Sequence, residues 1–443
     1  MKHNIYHNIK EEEYIYSLDN GLELIVIPKK GFINYYCGLQ VGFGSKYKTF
    51  EINGNRFNIP QGVAHFIEHR LFIKENNHDV TIDFASCELE CNAYTDFNST
   101  VYYFNGTNYE FNTDNFYKGL DILLDFVQEP YFDKEGIESE KDIIIQELMM
   151  YLDSPDNQLN YGILKNLYSK HPIREDTIGT VDEIKLITKD LLYECYKLFY
   201  HPQNMKLVIV GDVDPILIYE KVLSNQKEKT FGSFNDIKLV LEEDNIKNNN
   251  NFDLINLDVK KIPNIHMDIF SSKYAFGIKP YYYKDNNCNN DFIKKSLLYT
   301  IKVFNIFSPI NNLYQKLLDD KLINSPISFS SYFDNITGYI LLFANTNDPL
   351  KLNKIVCDEL FATSKINNHR FEIIKKKIYG EKITELNNVG SLFFSYLDSL
   401  SVNFNFYKYF EIIDSLEIND LTNDKYIDFH NCCFSSFIIY PFK

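Results

Sequence analysis

Tryptophan is absent from the 443 residues, and glycine and proline are scarce at 18 and 13. So little of either excludes a collagen-like or linker-rich chain. No run approaches the ~18 consecutive apolar residues that a membrane-spanning helix needs, so no membrane span is expected. The eight cysteines form no C-x-x-C pair and show no regular spacing, which argues against a disulfide framework or a zinc ribbon. Positive charge is also short: 45 Lys+Arg stand against 61 Asp+Glu, a net charge of −16. A surface of that sign repels phosphate backbones, so nucleic acid is not an expected partner. The first 21 residues, MKHNIYHNIKEEEYIYSLDNG, hold three consecutive glutamates and no apolar core of a secretory signal. A reducing, bacterial cytoplasmic location is the expectation.

What is present is the balance of a folded chain, with 45% hydrophobic and 24% charged residues. The length suits two domains, each able to bury a core. Gly21–Lys29 and Tyr35–Gly44 read as β-rich runs opening the chain as a hairpin or meander. Helical patterns follow at Val63–Phe72 and Phe116–Val127, with a strand at Thr100–Phe104 between them. A longer helix is expected over Ser139–Leu152, with Ser139 as N-cap. Lys206–Val210 reads as another strand. The polar, low-complexity stretch from Phe231 divides the chain into residues 1–230, a linker at 231–252, and residues 253–443. Gly338–Asn347 with its following helix resembles Val101–Asn108 with its own, which points to two copies of one α+β unit. Chance similarity in a biased composition is the competing reading.

The chemistry concentrates in Gly62-Val63-Ala64-His65-Phe66-Ile67-Glu68-His69. On a helix, residues four apart share a face, so His65 and His69 could seat two imidazoles on one ion. Glu68 reaches the same side, where it could take a proton from water held by the metal. Catalytic zinc needs a third protein ligand and an open fourth position. Glu147, with Glu140 two turns before it on the same helix face, supplies a carboxylate for that role. Glu140 then becomes a hydrogen-bond acceptor behind a ligand imidazole. The bland alternatives are a pair of core histidines and an ordinary solvated helix face carrying the two glutamates.

The motifs GLELIVIPK, GVAHFIEHRLF, CNAYTDFNSTVYYF, IESEKDIIIQELMMYLDSP, HPIREDTIGTVDEI and FYHPQNMKLVIVGDVD occur in an order and spacing that resemble the pitrilysin/insulinase family of zinc peptidases. The details VQEPYF, DTIGT and CYKLFYHPQNM look most like its short bacterial YmfH-like group. The resemblance implies an α+β fold of two homologous domains, each an antiparallel sheet layered with helices, set as a clam around an acidic chamber. It implies one Zn²⁺ per chain on His65, His69 and Glu147, with Glu68 as general base and Glu140 as supporting acid. It implies an endopeptidase acting on peptides or unfolded segments that lie as an added strand along Asn92, Ala93, Tyr94 and Thr95. In other members a late Arg followed by Tyr holds the substrate. Here Leu318 stands where the Arg is expected, in Ser308–Phe329, and no Tyr follows near Ser325. The expectation is therefore a heterodimer in which a second half-length family member supplies that clamp, with a homodimer as the simpler arrangement. The alternative is a catalytically silent structural subunit of the same fold. His171 and His201, each before a proline, are read as fixing turns.

Overall fold

The computed structural model describes residues 1–107, 113–241, 263–280, 291–362, 366–423, 427 and 429–442. Its strands are β1 (Lys2–Tyr6), β2 (Glu11–Ser17), β3 (Glu23–Pro28), β4 (Asn34–Val41), β5 (Thr49–Ile52), β6 (Asn55–Asn58), β7 (Glu90–Thr95), β8 (Thr100–Thr107), β9 (Met205–Gly211) and β10 (Ile237–Leu239). They continue as β11 (Ile265–Met267), β12 (Ser272–Pro280), β13 (Ser328–Phe333), β14 (Gly338–Thr346) and β15 (Cys432–Pro441). The helices used below are α1 (Val63–Leu71), α2 (Thr81–Ser86), α3 (Thr113–Gln128), α4 (Lys134–Asp153) and α5 (Pro155–Leu167), then helices in the second half numbered where they enter. No described helix is long and apolar enough to cross a membrane.

The chain divides into two compact units, and both are discontinuous. The first comprises Met1–Met149, Asp176–Leu241 and Ile383–Phe406; the second comprises Met150–Glu175, Glu242–Lys382 and Tyr407–Lys443. In the first, a seven-stranded sheet runs β1-β2-β3-β9-β4-β8-β7. Leu24 to Ile27 in β3 and Leu207 to Val210 in β9 are uninterrupted apolar runs, fully buried, as suits central strands covered on both faces. The expected hairpin of the first two β-runs does not form. β9 lies between β3 and β4, parallel to the former and antiparallel to the latter. The seven-stranded sheet is thus antiparallel but for this one parallel pair.

The second unit repeats this plan. Its sheet order, β11-β15-β12-β14-β13, matches β3-β9-β4-β8-β7 strand for strand, including the one parallel pair at the same place. Phe104 of β8 sits opposite Cys37, and Phe343 of β14 sits opposite Ala275, at matching strands of the two sheets. α3 follows β8 as α6 (Pro349–Phe361) follows β14. Each half of the chain also lends one helix to the other half's sheet. α5 belongs to the second unit, where Asn166 Nδ2 donates to the Ser436 carbonyl at 3.1 Å. The later helix α7 (Val389–Ser401), which follows α6 after one intervening helix (Asn368–Leu386), belongs to the first, where Gln40 Nε2 donates to the Leu397 carbonyl at 3.0 Å.

Two further expectations change. α4 begins at Lys134, and Ser139 lies inside it, its hydroxyl donating to the Glu135 carbonyl at 3.1 Å. The cap is Asp133, whose carboxylate accepts from Gly136 N–H at 2.7 Å, a better acceptor at a helix start than a mid-helix hydroxyl. Within the expected linker, Ile237–Leu239 forms β10 on the β5 edge of a small sheet ordered β10-β5-β6. Residues 242–252 of that linker lie outside the described residues.

Candidate metal centre

Gly62 starts α1 with φ 92°, and a Cβ there would fall 2.1 Å from the Ile178 carbonyl oxygen. Only glycine satisfies both the left-handed backbone and the close approach, so the start of α1 is fixed. Every residue of α1 but His69 is buried, including His65, Glu68 and Arg70. Ionisable side chains at such positions are costly unless they meet partners. The partners come from α4, whose buried stripe Ile137, Lys141, Ile144 and Leu148 seats it in the core. Glu140 and Glu147 lie two turns apart on this helix.

Donor atoms of His65, His69 and Glu147 lie within 4.8 Å of one another, and this is the one such group among the described residues. Glu147 Oε2 is 3.7 Å from His65 Nε2 and 3.5 Å from His69 Nε2. Donors of a tetrahedral ion with bonds of ~2 Å would stand ~3.3 Å apart, so the group has the size and donor set for zinc. Glu140 Oε1 is 3.1 Å from His69 Nδ1, leaving Nε2 turned to the donor group. Glu68 is not one of the three but feels the charges of His69 and Glu147, and its Oε2 accepts from the Thr95 hydroxyl at 2.7 Å.

The electrostatics separate these roles. Burial, then the neighbouring His69, lowers the pKa of His65 to about 3, so its imidazole is neutral and one ring nitrogen has its lone pair free. His69 moves up: burial opposes this, but the Glu140 hydrogen bond and the charges of Glu68, Glu140 and Glu147 prevail. Glu68 is raised chiefly by burial, against the pull of His69 and the Thr95 hydrogen bond. Glu140 is lowered although burial opposes it, because His69 and Arg70 both favour its anion.

Asn92, Ala93, Tyr94 and Thr95 fall in β7, the last strand of the first unit's sheet, paired on one side with β8. The Thr95 side chain ties the end of that strand to Glu68, a contact that the reading of the strand as a backbone platform did not contain. Leu318 lies on the short helix Asn312–Asp319. His171 and His201 each accept, through Nδ1, from the N–H two residues on, at Ile173 and Gln203, so both fix turns as expected. Sequence reasoning missed Arg70 and Asp133. Their ion pair at 3.0 Å joins α1 to the start of α4. The signal was a basic residue directly after His69 in a helix buried but for His69 itself, and an Asp placed just before the start of α4.

Residues 34–181 match the family described as insulinase (peptidase family M16), and residues 186–274 match the peptidase M16 inactive domain. The chain is 32% identical over 426 residues to the uncharacterized zinc protease YmfH of Bacillus subtilis, covering 94% of each. It resembles the structure of an M16-like peptidase from Alicyclobacillus acidocaldarius with a TM-score of 0.84 and 27% identity, over 98% of this chain and 99% of that one. The periplasmic protease PqqL of Escherichia coli shares the fold at a TM-score of 0.66 and 18% identity, with 97% of this chain covering 47% of that one.

Proposed function

The chain belongs to the insulinase family of peptidases, family M16, and from that premise we propose that it is a zinc-dependent endopeptidase acting on peptides or unfolded segments. The observation that carries this reading is the convergence of His65, His69 and Glu147 with Glu68 beside them. His65, His69 and Glu147 would hold one zinc. When bound, the ion supplies a Lewis acid that polarises the scissile carbonyl and lowers the pKa of water toward ~7.

The chain's own residues do the rest. Glu68 accepts the proton of the attacking water and returns it to the leaving amine. Its raised pKa, caused first by burial, moves it toward the range in which a carboxyl can do both near neutral pH. Thr95 holds the Glu68 carboxylate by donating its hydroxyl proton. Glu140 accepts from His69 Nδ1–H, which fixes the tautomer that leaves Nε2 free for metal. β7 offers the unpaired side of its backbone between Asn92 and Thr95 as a platform on which a peptide adds as a strand. Recognition through backbone hydrogen bonds makes sequence selectivity loose.

A partner enters the proposal through Leu318, a side chain that cannot donate to a substrate carbonyl where an Arg is expected. A second half-length family member would supply the clamp. The complete donor set favours the enzyme over a silent structural subunit, for which the buried His65 and Glu68 would be a cost without return.

The test is elemental analysis of the purified chain beside Glu147→Gln and Glu68→Gln. About one zinc per chain is expected, lost in Glu147→Gln and kept in Glu68→Gln, with peptide cleavage abolished in the latter. No zinc after reconstitution of the wild type would overturn the reading.

A further inference from the structure

Arg70 follows His69 directly, yet on a helix successive side chains point ~100° apart. Its guanidinium therefore turns away from the donor group and lies under the start of α4, and the residue is 4% exposed. Nη2 is 3.0 Å from Asp133 Oδ1, and Nη1 is 3.5 Å from Glu140 Oε2. Glu140 thus has one oxygen on His69 and the other on Arg70. Asp133 is similarly divided, with Oδ1 on Arg70 and Oδ2 on the N–H of Gly136. The fork fits because position 136 is glycine: a Cβ there would lie 2.4 Å from Arg70 Nη2 and 2.6 Å from Asp133 Oδ1.

We propose that Arg70 is a positioning residue for the metal centre, gripping Asp133 and Glu140 together and so holding α4 in register against α1 with the Glu140 carboxylate behind His69. This rests on the reading of His69 as a metal ligand. Two carboxylates on one helix, seven residues apart, are held by two arms of one planar cation. A lysine ammonium, a single point charge, cannot reproduce that fork. The competing role is purely structural, a buried ion pair that stabilises the α1–α4 contact without bearing on the metal.

The two roles separate in a double-mutant cycle read as zinc affinity of the full chain, by competition with a chromophoric chelator, for wild type, Arg70→Met, Glu140→Gln and the double variant. Arg70→Met is expected to weaken zinc ~10–100-fold, the usual effect of removing a supporting partner of a metal ligand. In the Glu140→Gln background the same change is expected to cost less than ~3-fold, because the arm through which Arg70 acts is already gone. Equal effects in both backgrounds, or unchanged affinity in Arg70→Met, overturn the proposal.

If Arg70→Met does not fold, Gly136→Ala replaces it, since it removes no charge and no hydrogen-bonding atom. Crowding the guanidinium should weaken zinc several-fold in a variant whose cooperative thermal transition shows that it folds. Unchanged zinc affinity in that variant overturns the proposal. A wild type that binds no zinc overturns the parent reading and this one together. A wild type that binds zinc with Arg70 variants indistinguishable from it overturns this one alone.

Discussion

His65 and His69 share a face of α1 but respond to protons in opposite directions. The folded pKa of His65 is about 3 against 6.5 for the free side chain, so between those values the unfolded chain binds a proton that the folded chain rejects. Stability of the metal-free protein therefore falls as pH drops below ~6.5, by about 1.4 kcal/mol per unit at the steepest. His69 is raised, so its stabilising contribution is complete below 6.5 and is lost only as pH rises through the folded value. Glu140 is lowered, and its contribution begins to fade only near and below 4.5. Between pH 6.5 and 5 the share of His65 is read as the difference from His65→Gln, because His201, also lowered by burial, adds to the loss and Glu68, raised by burial, opposes it. Urea unfolding of the chelated protein should lose about 1–2 kcal/mol more across that window in the wild type than in His65→Gln. Equal slopes in the two proteins would contradict the burial that assigns His65 its neutral state. At this scale the H-x-x-E-H order was legible because helical spacing alone places the side chains. Arg70 was not, because a buried ion pair depends on which residue of another helix lies opposite.

Elements were legible where the signal is local. Val63–Leu71 and Met205–Gly211 stand within a residue or two of their apolar patterns, since a buried helix or strand writes its period into its own residues. Pairing was not legible. That β9 inserts between β3 and β4, and that α5 and α7 exchange units, are decided by contacts hundreds of residues apart. The exchange is written instead in single residues on the sheets. Glu13, fully buried, accepts from Tyr396 Oη at 2.5 Å, Tyr6 Oη at 2.7 Å and Asn405 Nδ2 at 3.0 Å, fastening the segment that carries α7. Gly38 on β4 lets α7 approach: a Cβ there would stand 2.5 Å from the Phe393 ring and 3.0 Å from the Tyr103 Cβ. Gly38→Ala should therefore lower stability by about 1–3 kcal/mol, the usual cost of overpacking. Hydrogen exchange should quicken first in residues 389–401. Unchanged stability with unchanged protection there would show that α7 is not seated through this glycine.

At the scale of the molecule, length sets the question. The chain spans 94% of YmfH and 99% of the Alicyclobacillus peptidase, but only 47% of PqqL, so the same fold also occurs in chains about twice as long. On the proposed reading, a chain with the His65, His69 and Glu147 donor group but Leu318 in place of the expected Arg would activate water without holding the peptide. The zinc-loaded chain alone should then cleave an unstructured peptide far below the 1–10³ s⁻¹ common to enzymes. Titration with a half-length family protein from the same organism that carries the Arg and Tyr should raise the rate and saturate at one to one. Glu68→Gln in this chain should abolish the gain, whereas the same change in any corresponding glutamate of the partner should not, because the proton is moved here. Ordinary enzymatic rates from the pure chain, with light scattering showing a monomer, would sink the two-subunit proposal while leaving the metal centre intact. The clamp would then have to be sought in this chain's own second unit.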